Sequence, residues 1–97
     1  MNNRMANPLI VMVLMVRAIS HTTQPETNHA GATMKIYVEQ VVSGMGHRFK
    51  LACIANRPRC APLVDGREYS AQMEGHVMWI TYRGLVGNQI RLKFEIR

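Results

Sequence analysis

Three features of the sequence predict an all-β domain, a five-stranded antiparallel meander closing into a small barrel or sandwich, over residues 34–97. Apolar side chains return at every second position in five short runs. Glycine-bearing turn segments separate those runs. No run beyond the first twenty residues has a helical period, so an N-terminal signal helix is the one helix expected.

Residues 1–20 read as a targeting segment. Arg4 lies in a short polar start, residues 8–16 are unbroken apolar sequence, and Ala18 and Ser20 put small side chains where a leader would be cut. Nine apolar residues rise about 14 Å as a helix, less than half of a bilayer's hydrocarbon core, so no stable transmembrane span is expected. Arg17 stands against the run, and an uncleaved anchor is the alternative. Residues 21–33 are polar and without apolar period, the composition of a disordered spacer. Cleavage after Ser20 would leave ten Lys/Arg against six Asp/Glu, a net charge of +4 compared with +6 for the whole chain.

The first strand carries Met34, Ile36 and Val38 on one parity and Lys35, Tyr37 and Glu39 on the other. A turn at residues 43–46 leads to the second, where Phe49, Leu51 and Cys53 alternate with Arg48, Lys50 and Ala52. Tyr69, Ala71 and Met73 mark a third strand after the Asp65-Gly66 turn. Residues 77–82 are β-branched and aromatic on both parities, as in a well-covered strand. The last is the cleanest, with Ile90, Leu92, Phe94 and Ile96 opposite Arg91, Lys93, Glu95 and Arg97. The predicted core is Ile36, Val38, Phe49, Leu51, Tyr69, Ala71, Trp79, Leu92 and Phe94.

Cys53 and Cys60 flank a loop with the turn formers Asn56 and Pro58, so a chain reversal there can bring the two within reach of a structural disulfide. Such a bond needs an oxidising compartment, which places the domain in a secreted or periplasmic setting. Two buried thiols are the alternative. The spacing is not that of a redox C-x-x-C pair, and four scattered histidines with no second cysteine pair do not make a zinc site. No metal and no cofactor are expected.

Other candidates for chemistry read as turn residues. Ser43 lacks the first glycine of a nucleophile elbow, and Gly44 and Gly46 lack the helix of a phosphate loop. His47 and His76 begin strands beside glycines with no local Ser, Cys or Asp partner, and only a pocket with Asp65 or Glu68 would give them an acid–base role. The basic residues form a pattern. Arg48, Lys50, Arg91, Lys93 and Arg97 share an outward parity and Arg57 and Arg59 lie in the Cys53–Cys60 loop, so adjacency of the second and last strands would gather a cationic surface. Binding of single strands would also need exposed aromatics, for which Tyr37 and Tyr82 are the candidates.

The run Phe49-x-Leu-x-Cys53, Cys60-x-Pro-Leu63-x-x-Gly66-x-x-Tyr69-x-Ala71, followed by Met78-Trp79-Ile80 and a basic-alternating last strand, resembles small exported two-cysteine β-domain proteins of soil bacteria, notably acidobacteria. That resemblance implies export, the disulfide and the fold class, and carries no activity. The function expected is that of a non-enzymatic exported β domain, an interaction or envelope module whose partner is a protein or envelope component. The alternative is a binder of anionic polymer, nucleic acid or acidic glycan, through the basic strand face.

Overall fold

The computed structural model describes residues 11–97, and all regular structure among them is antiparallel β. The strands are β1 (Met12–Thr27), β2 (Thr33–Ser43), β3 (Arg48–Ile54), β4 (Glu68–Glu74), β5 (Val77–Arg83) and β6 (Gln89–Ile96). Tight turns link β1, β2 and β3 into one meander and β4, β5 and β6 into another. The connection 55–67 carries the chain across so that the order is β1-β2-β3-β6-β5-β4, with β4 returning to β1. Each strand thus has a neighbour on both sides for part of its length, while residues 20–27 of β1 pair with β2 alone.

The all-β antiparallel class holds, but with six strands in place of five and without a single running meander, because β3 and β4 are not neighbours. The additional strand comes from sequence expected to be a leader. Residues 12–20, read as part of a signal helix, are the first half of β1, while positions 1–10 of that segment lie outside the described residues. The spacer expected to be disordered, 21–33, is the second half of β1 and the turn into β2. Asn28 shapes that turn, its side-chain oxygen accepting from the amides of Ala30 and Ala32 at 2.9 and 3.0 Å. The reason is tertiary: Met12 to Arg17 form the whole ladder to β4, and Val16 and Ala18 go into the core at 1% exposure each. Apolar residues that find such partners need no helix to satisfy their backbone.

Registers show which side chains face inward. Met78 lies across from Met73 and Phe94, and Ile80 from Ala71 and Leu92, so alternate residues of β4, β5 and β6 share one interior. Leu51, Val41, Val16 and Tyr69 complete it, and Leu63 plugs it from the connection. Full burial of a side chain the size of Phe94, Leu51 or Ile80 stabilises the fold by about 1.5–3 kcal/mol each. The Tyr69 hydroxyl accepts from the Val64 amide at 2.9 Å, which ties the plug to β4. Gly66, at φ +86°, makes the turn after the plug, and its amide donates to Ala18 O at 2.7 Å. A left-handed position of that kind favours glycine.

Three residues of the predicted core lie elsewhere. Ile36 and Val38 are buried, but in a second cluster with Ala52 and Ile54 on the opposite face of β2 and β3. The interior parity of β2 is that of Glu39 and Val41, which sit across from Leu51 and Phe49. Trp79 faces outward, because the inward positions of β5 belong to Met78 and Ile80. A β-bulge at Ile19 keeps β1 in phase with this arrangement, restoring His21 to a position opposite Glu39.

Candidate anion-binding face

Trp79 is the centre of the outer face of the β4–β5–β6 sheet. Its register partners are Gln72 on β4 and Lys93 on β6, and the rung beside it pairs Thr81 with Ser70 and Arg91. Arg91 lies over the indole with its guanidinium carbon 4.1 Å from the ring centroid, and its Nη2 donates to Gln72 Oε1 at 2.8 Å. That bond draws the arginine flat across β5, the geometry in which a cation is attracted by the ring's negative face. Lys93 Nζ and the Arg59 guanidinium stand 5.6 and 5.5 Å from the same ring.

Arg59 reaches this face because of the disulfide. Cys53 and Cys60 are bonded, their Cα atoms 5.6 Å apart, and no free cysteine remains among the described residues. Asn56, at φ +69°, takes the left-handed turn between them, a conformation Asn tolerates better than most residues. The Cys60 amide donates to Arg57 O at 3.2 Å, and the Lys93 amide donates to Arg59 O at 2.9 Å. The stapled loop is thus tied to β6 by one backbone hydrogen bond at Arg59. Arg57, Pro58, Arg59 and Lys93 line a hollow there against the disulfide.

The condition set by the sequence, adjacency of the second and last predicted strands, is met: β3 pairs with β6 at Leu51–Ile96 and Ala52–Glu95. Of the seven basic residues, Arg59, Arg91 and Lys93 gather round Trp79, with Arg57 next to them. Arg97 does not join them, since it bonds Glu26 at 2.7 and 3.0 Å and Glu95 at 2.6 Å. Those two carboxylates hold its guanidinium more firmly protonated than usual. Lys50 lies beside Arg97, whose amide donates to Lys50 O at 2.8 Å, and Arg48 is across from Val42 at the far end of β3. No carboxylate among the described residues pairs with Arg57, Arg59, Arg91 or Lys93. The rung of Glu74, Val77 and Glu95 bounds the cationic face on one side.

Sequence reasoning looked for aromatics at Tyr37 and Tyr82. Tyr82 instead packs inward, edge-on to Tyr69 with ring centroids 5.8 Å apart, and Tyr37 is half-buried. Trp79 was missed because residues 77–82 are apolar on both parities, which leaves the outward set undefined.

Two further polar features were not legible. Glu39 is fully buried, with Oε1 accepting from the Leu63 amide at 3.2 Å and Oε2 unpartnered among the described residues. Loss of hydration pushes its carboxyl above the usual range, against the lowering effect of the Leu63 bond. His21, opposite Glu39, has Nδ1 3.0 Å from Asp65 Oδ1, and that bond raises its pKa. Asp65 is therefore paired with His21 and Glu68 with Arg17, whereas His47 and His76 form no ion pair with either. No group of three or more His, Cys, Asp or Glu side chains placed to hold a metal occurs among the described residues. No helix among them is long and apolar enough to cross a membrane. Comparison with protein-family models, curated proteins and solved structures finds no match to this chain.

Proposed function

We propose that this chain is a disulfide-stapled β module of an oxidising compartment, secreted or periplasmic, that holds an anionic polymer on its Trp79 face without catalysing a reaction. The reading rests on one observation above the rest: Arg91 is clamped over Trp79 by Gln72, with Arg59 and Lys93 at the ring's margin and no carboxylate neutralising any of them. A stacked guanidinium still presents N–H donors to a phosphate, sulfate or uronate, and the indole edge offers an apolar surface to a base or sugar ring. The Cys53–Cys60 bond supports the compartment, because in most cytosols a bond of this kind is reduced.

Retention on immobilised heparin and on single-stranded DNA, followed across a salt series, tests this. Four phosphate contacts predict a slope of about −2.8 in log K against log salt for a single strand. Arg91→Ala should reduce that slope by about 0.7, and Trp79→Ala should weaken binding at every salt concentration by roughly tenfold. Absence of retention at low salt, or retention unchanged in both variants, would refute the assignment.

A further inference from the structure

We infer that the seam between β3 and β6 is a binding groove for a single-chain anionic amphiphile, a fatty carboxylate or alkyl sulfate. The β3–β6 ladder has only two register pairs, after which the stapled loop takes over at Lys93. Two hollows open along this seam, of about 420 and about 430 Å³, and they meet at Cys53 and Lys93. Both are lined mainly by carbon.

The first hollow is floored by Ile36, Ala52, Ile54 and Val77, side chains of the outer sheet face, where solvated residues are the rule. Ile36 and Ala52 of the second hydrophobic cluster are themselves buried, so the partly exposed Ile54 and Val77 supply the hollow's open apolar surface. The two ends of the groove differ in charge. At the far end Arg97 is neutralised by Glu26 and Glu95. At the loop end Arg57, Arg59 and Lys93 have no carboxylate partner among the described residues. A ligand matching both ends has one anionic head, held by the loop cations, and an unbranched tail laid toward Ile54 and Val77. A polymer charged along its length does not fit the apolar hollow, so this site is separate from the Trp79 face although it shares Lys93 and Arg59 with it.

Trp79 is the only tryptophan, and Lys93 Nζ lies 5.6 Å from its ring, so its emission reports on the groove. The oxidised full chain is titrated with dodecanoate, decanoate and dodecyltrimethylammonium below their micelle concentrations, and separately with phosphatidylglycerol vesicles. Saturable binding of dodecanoate is expected, roughly tenfold tighter than decanoate because two methylenes are lost from an apolar contact, with no saturable response to the cationic amphiphile. Lys93→Glu, an exposed change, should weaken dodecanoate at least tenfold. Ile54→Gln should do the same while leaving heparin retention intact, and Arg91→Ala should have the reverse pattern. Failure of heparin retention alone therefore counts against the Trp79 face and not the groove. An equal response to both head charges, no dependence on chain length, or association with vesicles without uptake of monomeric dodecanoate would overturn the proposal.

Discussion

Breaking the Cys53–Cys60 bond is the perturbation whose size follows most directly from the structure. The bond closes a loop with a sequence separation of 7, and a ring of that size removes about 8 cal/mol/K of entropy from the unfolded chain, or about 2.5 kcal/mol at 25 °C. For a domain of this length, that corresponds to a fall in Tm of roughly 10–20 °C. Reduction with dithiothreitol leaves both sulfurs in place, so it isolates the cross-link from packing. A Cys53→Ala, Cys60→Ala variant should lose about 1 kcal/mol more, because Cys53 is half-buried against the core. The assay is urea unfolding of oxidised, reduced and double-alanine protein, read by Trp79 emission and far-ultraviolet circular dichroism together. Freed from the staple, the loop should also leave β6 at Lys93, and heparin retention should weaken as Arg59 swings from the indole. A reduced protein within about 0.5 kcal/mol of the oxidised one would refute the claim that the staple acts by restricting the unfolded chain.

A chain beginning at His21 should show no cooperative melt, since the six β1–β4 register pairs and the buried Val16 and Ala18 all lie before that cut. A cooperative transition in that truncated protein would show that β1 up to Ser20 is dispensable and would favour the reading of residues 1–20 as a removable leader. Glu39→Gln should raise the urea midpoint at pH 7. The carboxyl's folded pKa is raised above its unfolded value of 4.5, so its unfavourable contribution is absent below about pH 4.5 and grows as the pH climbs to the folded pKa. The gap between variant and wild type should therefore close toward pH 4, and a gap independent of pH would mean that the Glu39 carboxyl keeps its hydration in the folded protein.

Strand content, the antiparallel class and the staple were legible because they are local properties. Period-two alternation in β4 and β6 needs only the residues themselves, and so does a loop with Asn56 and Pro58 between two cysteines. The basic set was legible as a list but not as a surface. Arg91 and Lys93 share a parity in sequence, yet only the β3–β6 pairing and the Lys93–Arg59 hydrogen bond bring the stapled loop to them. Arg97 shares the same parity and is removed from the group by Glu26, 71 residues away in the chain.

What the tertiary structure alone decided is which faces are covered. The apolar residues 12–16 are consistent with a leader helix or with a strand; they pair with β4 as a strand that buries Val16 while Met12, Val13 and Met15 stay exposed. Likewise Ile36 and Val38 are as apolar as Leu51, but they lie on the opposite side of the sheet, where they pack with Ala52 and Ile54 in a cluster of their own. Composition and periodicity set how much apolar surface each strand presents; whether that surface meets the core, a groove or solvent depends on strand order and register, which arise from contacts distant in the chain.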